Sequence, residues 1–315
     1  MKEGRGAGLA IALASSASFA LSGMFASALI DSGWSSGAVT TVRMIGSALV
    51  LIGPALLALR GSWHLLRRAR WQVVTFGVFG VTVAQLGFFS AVQFIPPALA
   101  LLIEFLGPVL LVGWTWARTR IAPPGLTLIG VALAVIGLVL VSGVIGAVQL
   151  NPLGILLALT AAVGNAVYWA TAASQTHGLP PVTLAGLGLV VGAVLLTAAG
   201  LAGLLPFRSS SVTTLLAGTA VPMPVTIAAL ILLATVTPYV LGIIGARRLG
   251  ATVASFAGYS EPIFGIVWMG LLLSTLPTPM QFAGAAAVVA GVVLVKLGQL
   301  GRERAESAPV AQPVP

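Results

Sequence analysis

The 315 residues include no cysteine, only two histidines and only six acidic side chains. The first absence excludes a disulfide framework, a thiol nucleophile and any Cys-ligated metal or iron–sulfur centre. The second excludes a multi-histidine metal site within one chain, because His64 and His177 both fall in polar connectors. Neither a metal nor a cofactor is expected. Charge of both signs is scarce, at 7% of residues, where a soluble domain carries about a quarter. With 58% hydrophobic residues, the chain cannot hide its apolar surface in a water-soluble fold. The G-x-x-x-x-G-K-[ST] loop is also missing, which argues against ATP-driven pumping by this chain.

What is present is a series of long apolar runs. A bilayer core of about 30 Å needs about 20 apolar residues per helix. Ten such runs lie near 8–30, 37–59, 73–94, 97–116, 126–145, 153–174, 182–205, 225–246, 251–273 and 279–297. Lipid leaves backbone groups no partner but their own helix or a closed barrel. Unbroken runs of this length lack the alternation of barrel strands. The fold class expected is therefore an all-α integral membrane protein with ten transmembrane helices. The first run follows Lys2 and Arg5 and contains a cleavage-like Ala26-Ser27-Ala28. It is longer than a secretory h-region and is read as the first span.

The basic residues give a topology. With the N terminus in the cytoplasm, the inner segments hold Lys2, Arg5, Arg60, Arg67, Arg68, Arg70, Arg118, Arg120, Arg247, Arg248, Lys296, Arg302 and Arg304, and the outer segments hold Arg208 alone. That asymmetry follows the positive-inside rule. It accounts for the +9 charge without nucleic acid as a partner. The expected location is the cell membrane, with both termini cytoplasmic.

The chain also repeats itself. Residues 103–141 and 257–295 match at Pro108/Pro262, Trp114/Trp268, Pro123/Pro277, Gly130/Gly284 and Gly137/Gly291, an offset of 154. Gly46/Gly192 match at an offset of 146. The expected organisation is a first five-helix repeat over 1–146, a second over 147–297 and a disordered tail over 298–315. An odd helix count per copy turns the copies upside-down relative to one another, as in secondary transporters. Small residues four apart (Ala283, Ala287 and Gly291, or Gly130 and Ala134) suit close helix packing within the bundle. A homodimer seam is the alternative use of such a face.

At this point a family resemblance enters. The stretches IPPALALLIEFLGP at 95–108, GNAVYW at 164–169, ARRLG at 246–250 and SEP at 260–262 resemble the ten-helix drug/metabolite transporters built of two EamA-type repeats. Within them the chain is most similar to the bacterial threonine/homoserine exporters. The resemblance implies a ten-helix exporter with both termini inside. Many members carry an acidic Gly-Glu pair after the Trp114/Trp268 region, where this chain reads WAR at 116–118 and LST at 273–275.

Only three formal charges lie well inside spans: Arg43, Glu104 and Glu261. Each costs on the order of 3 kcal/mol at mid-bilayer and normally faces a bundle interior or a wet cavity. Glu104 precedes Pro108 and Glu261 precedes Pro262, and these prolines are expected to kink or break their helices. Both carboxylates are expected to line one cavity, as a proton relay or an amine site, or else to pin two helices together. Arg43 has three candidate roles: reaching outward to water, pairing with a glutamate, or binding a substrate carboxylate. A second tier comprises Gln85, Asn165, Tyr168, Tyr239 and Tyr259. The serines of the first span (Ser15, Ser16, Ser18, Ser22) are expected to bond their own helix's carbonyls. No span holds a nucleophile with a base or metal ligands, so no catalytic residue is expected. The function expected is secondary export of a small polar metabolite, an amino acid or related amine, by alternating access. Hydrophobic drug efflux and a non-transporting scaffold or sensor are the alternatives. The partners are then a small-molecule substrate and the lipid bilayer.

Overall fold

The structure is a computed structural model that describes residues 2–142, 151–210, 213–273 and 278–306. It is all-helical apart from one small hairpin. In chain order the helices are α1 (Lys2–Asp31), α2 (Ser36–Ala58), α3 (Trp63–Thr75), α4 (Ala84–Ala91), α5 (Pro97–Glu104), α6 (Gly107–Thr119), α7 (Gly125–Ser142), α8 (Pro152–Ala173) and α9 (Pro181–Leu201). After the hairpin strands β1 (Thr214–Leu216) and β2 (Thr219–Val221) come α10 (Met223–Ile231), α11 (Thr237–Leu249), α12 (Ala251–Ala257), α13 (Ser260–Leu273) and α14 (Pro279–Glu306). Wider π-helical segments join α3 to α4 (Phe76–Val83) and α10 to α11 (Leu232–Val236).

Among the described residues eight helical stretches are long and apolar enough to cross a membrane, and Gly125–Val141 is a shorter apolar helix. The expected ninth span is split by a turn at Gly258 and Tyr259 into α12 and α13, neither of which reaches that length. Of the expected tail, residues 298–306 continue α14 as helix. Their Gln, Leu, Arg, Glu and Ala content favours helix over a loose chain. Residues 307–315 lie outside the described residues.

Local chemistry sets the helix ends. Ser35 caps α2 by accepting from the Ala38 N–H at 3.3 Å. Asn151 caps α8 by accepting from the Leu153 and Gly154 N–H groups, with Pro152 opening the helix. The connector after α9, which sequence alone left open between a surface helix and a cap, forms the hairpin. Its strands pair Thr214 with Val221 and Leu216 with Thr219. Its turn, Ala217-Gly218, places both residues at positive φ (50° and 76°), as a two-residue primed turn demands.

One end of the bundle gathers basic connectors. Gly8 of α1 lies against Arg248, Gln175 Nε2 donates to the Arg247 carbonyl, and Gln72 Nε2 donates to the Thr171 and Ser174 carbonyls. The other end gathers residues 32–35 with 205–210: Trp34 Nε1 donates to the Ser210 carbonyl, and Ser35 Oγ donates to that of Pro206. Arg208 belongs to this second end.

Two helix pairs cross the middle of the chain. α2 packs on α9 and α7 on α14. A Cβ on Gly130 would stand 2.6 Å from the Gly291 carbonyl, and one on Gly137 would stand 2.6 Å from the Gly284 carbonyl. These two crossings fix α7 and α14 as antiparallel. The seam falls on Gly284, Val288, Gly291 and Val295 of α14. Ala283, expected on this face, is exposed and Ala287 is only half-buried. The remaining packing exchanges partners: α1 lies against α10, α11 and α13, whereas α8 lies against α4, α5 and α6.

Candidate functional site

The three intramembrane charges converge. Arg43 of α2, Glu104 at the end of α5 and Glu261 in the first turn of α13 each lie within electrostatic reach of the other two. Tyr239 of α11 falls within the same field. Arg43 is buried, with 9% exposed, and both glutamates are half-buried. Arg43 does not reach outward to water. Its Nη1 donates to Ser22 Oγ at 3.3 Å and its Nη2 to Gln85 Oε1 at 3.2 Å, while its Nε is buried without a partner. Among the described residues no carboxylate forms an ion pair with it. The guanidinium is thus held in place by neutral acceptors from α1 and α4, with both acids close but unengaged.

Interrupted helices deliver these groups. Glu104 ends α5, and the chain turns at Phe105 and Leu106 before α6 resumes. Glu261 follows the turn at Gly258 and Tyr259. Each break precedes its proline: Pro108 and Pro262 sit in the first turn of the resumed helix, where a missing N–H costs nothing. The breaks free carbonyls, and one is already taken. The Tyr259 hydroxyl donates to the Phe105 carbonyl, joining the two breaks directly. Tyr259 is fully buried between the Phe105 and Phe256 rings, with its hydroxyl on the carbonyl of the residue after Glu104. Gln85 and Tyr239 each lie shortly after a π-helical segment. In both segments a threonine hydroxyl donates to the carbonyl five residues back, Thr82 to Gly77 and Thr235 to Leu230.

α8 runs along both breaks. Asn165 Oδ1, buried and without a partner, would stand 2.8 Å from a Cβ on Gly107 at the start of α6. Trp169 packs over Gly258 at the other break. Tyr168 packs on Gly80 of the π-helical segment and joins an aromatic cluster. Its ring lies 5.8 Å from Tyr239 and 5.2 Å from Phe76, and Tyr239 stacks edge-on against Phe19 at 5.3 Å. Phe19 sits one turn from Ser22 toward the basic end, so these rings lie between the charges and that end. The buried Tyr168 hydroxyl has no partner. Eight site residues were expected from sequence; Arg43, Glu104, Glu261, Gln85 and Tyr239 come together, Tyr168 and Asn165 border them, and Tyr259 ties together the two breaks that carry the glutamates.

The serines of α1 do not mainly bond their own helix. Ser15 Oγ donates to the Pro238 carbonyl at 2.8 Å, Ser18 Oγ to that of Leu233, and Ser22 accepts from Arg43. Only Ser16 bonds within α1, to Ala12, with a second contact to the Ala257 carbonyl. The carbonyls these serines meet outside α1 lie on facing helices, Leu233 in the π-helical segment before Pro238 and Ala257 at the break before α13 among them. Sequence reasoning missed Ser22, Thr82 and Thr235. The signal for the threonines was their near-equivalent position in otherwise apolar runs, 153 residues apart.

A lipid-sized helical bundle with charges held at its centre defines a multi-pass membrane transporter, and the comparisons with known proteins agree. The EamA-like transporter family model matches residues 6–143 and again 152–297. The chain belongs to that family. It is similar to an uncharacterized inner membrane transporter, YicL, of Salmonella typhimurium (strain LT2), at 23% identity over 277 residues, which cover 86% of this chain and 88% of that one. A solved crystal structure matches with a TM-score of 0.74 at 20% identity, over 96% of this chain and 99% of the other. That likeness bears on the fold alone.

Proposed function

We propose that the protein is a ten-span secondary transporter that exports a small polar metabolite, an amino acid or related amine, by alternating access. Two observations support an inverted pair of five-helix repeats over 1–146 and 147–297. Helices α7 and α14 run antiparallel through the sequence-matched glycines, each touching the other's counterpart. The partner exchange of α1 and α8 is what a two-fold relation between the copies produces. The charge asymmetry of the two ends favours both termini in the cytoplasm.

The observation that carries the cargo reading is the arrangement of Arg43, Glu104 and Glu261 without an ion pair. A guanidinium with a free Nε offers a carboxylate a charge-assisted hydrogen bond. Two nearby carboxylates offer an ammonium the same. Together they suit a zwitterion of the kind the threonine/homoserine branch exports. The glutamates are also the candidates for proton coupling. The aromatic cluster of Phe19, Phe76, Tyr168 and Tyr239 serves as the closure on the basic side. A second reading, hydrophobic efflux, draws on one feature: an apolar groove of about 530 Å³ between α2 and α9, lined by residues such as Ile45, Leu49, Val190 and Val194.

The test is flux into everted vesicles or proteoliposomes over an amino-acid panel with an imposed pH gradient. Saturable uptake of a zwitterion is expected, and Glu261→Gln should impair it while folded yield stays near normal. Uptake of hydrophobic cations alone would favour the second reading, and no saturable flux across a broad panel would overturn the proposal.

A further inference from the structure

The helical stretch Trp63–Ala91 spans 29 residues, or about 43 Å at 1.5 Å per residue. The hydrocarbon core takes up about 30 Å of that. The far end runs on into the apolar Phe94 and Ile95, so the excess falls on α3, whose first turns stand at headgroup depth. This part reads WHLLRRARW. Its inward face is Ala69 and Val73, both buried. Its outward face carries Trp63, Arg67, Arg70 and Trp71, all exposed, with Leu66 half-buried among them.

Trp63, Leu66, Arg67 and Arg70 follow one another at three- and four-residue spacing, so they share one face. Together they line an open surface groove of about 610 Å³. The groove has an apolar wall from Trp63 and Leu66 and two guanidiniums at its rim. Arg70 lies over the Trp71 ring, 5.7 Å from its centroid. The segment supplies no acid of its own to this patch: residues 32–103 contain no aspartate or glutamate. A cationic rim over an apolar wall at headgroup depth is complementary to a lipid whose phosphate is anionic and whose chains continue into the bilayer.

We propose that this groove on α3 is a binding site for an anionic phospholipid, with the phosphodiester held by Arg67 and Arg70 and the acyl chain laid against Trp63 and Leu66. Its place gives it a consequence. α3 continues through the π-helical segment into α4, which carries Gln85, the acceptor that holds Arg43. An occupied groove therefore anchors the basic end of α3, on one side of the π-helical segment that separates it from Gln85. The inference goes beyond the transport reading and does not depend on what is carried.

The test compares the intact protein in nanodiscs of phosphatidylcholine alone and of phosphatidylcholine mixed with phosphatidylglycerol. Native mass spectrometry reads retained phosphatidylglycerol, and thermal unfolding reads its effect. The expected result is a retained phosphatidylglycerol and a raised unfolding temperature, both lost in the Arg67→Gln/Arg70→Gln variant. Each arginine should account for about fivefold in lipid affinity. In pure phosphatidylcholine the variant should unfold with the wild type, which excludes misfolding. Arg68→Gln removes the same charge from outside the groove and should retain the lipid. Equal loss in Arg68→Gln would replace the site with diffuse attraction and overturn the proposal. So would equal stabilisation by inorganic phosphate in phosphatidylcholine, or no difference between the two bilayers.

Discussion

Substituting Gly291 with alanine tests whether α7 and α14 touch backbone to backbone. The added methyl carbon would stand 2.6 Å from the Ala134 nitrogen, 2.7 Å from the Gly130 carbonyl oxygen and 2.8 Å from the Ala134 Cβ. Favourable contact between such atoms begins near 3.5 Å, so the helices must part by up to about 0.9 Å. None of the opposing atoms is the movable end of a long side chain. A gap of that size forfeits about a quarter to a half of each dispersion contact along the seam, and overpacking of this kind costs about 1–3 kcal/mol. Alanine's better helix propensity returns about 1 kcal/mol, leaving a net loss of up to about 2 kcal/mol. Gly265→Ala in α13 is the control, because nothing lies within 4 Å of a Cβ there. It should gain about 0.5–1 kcal/mol from the same propensity term. The propensity gain is common to both, so equilibrium unfolding in one detergent should separate them by the overpacking cost, about 1–3 kcal/mol. If Gly291→Ala unfolds with Gly265→Ala, the backbone-contact account of the seam is wrong.

Three other substitutions follow from single contacts. Tyr259→Phe removes the donor to the Phe105 carbonyl and leaves that buried acceptor open, so unfolding free energy should drop by about 1–3 kcal/mol; an unchanged unfolding midpoint would show that the two breaks are not joined there. Gln85→Leu deletes one of the two acceptors that orient Arg43, and loss of about 1.4 kcal/mol of orientation corresponds to a tenfold rise in the KM for a zwitterionic substrate; a change in folded yield with KM unaltered would make Gln85 a packing residue. Ala217→Gly relieves a side chain held at a φ of 50° in the hairpin turn and should stabilise the protein by up to about 1 kcal/mol in thermal unfolding, where a loss would place the strain elsewhere.

The long helices were legible because hydrocarbon demands them: a run such as 182–205 admits few structures other than the helix Pro181–Leu201. The charged centre was legible for a related reason. Arg43, Glu104 and Glu261 stood out against an apolar background, and isolated charges in a membrane have few places to go. What stayed hidden depends on atoms that face each other across the chain. The pattern of Ala283, Ala287 and Gly291 and that of Gly284, Val288 and Gly291 are equally periodic, and only the approach of α7 selects the second. The serines of α1 pointed to their own ladder until Pro238 and Leu233 supplied carbonyls from α11 and the adjoining π-helical segment. The hairpin at 214–221 was hidden because its strands are three residues long and its turn carries alanine where glycine or asparagine would have announced it.

The interruptions explain why the charged residues sit where they do. Gln85 and Tyr239 follow π-helical segments, Glu104 precedes a break, and Glu261 follows one. A regular helix transmits a displacement along its whole length, whereas a helix with a π-helical segment or a break can bend there while its ends stay packed. The four interruptions fall in helices that cross the bundle beside the same charges. Both breaks are fastened by one hydrogen bond, from the Tyr259 hydroxyl to the Phe105 carbonyl. On the proposed reading the corresponding interruptions lie in inverted copies. A bend that opens the basic end in one copy then has a counterpart in the other that opens the opposite end. The two states would make nearly the same contacts, so the small free energy of cargo exchange between Arg43 and the two carboxylates is enough to move the protein between them.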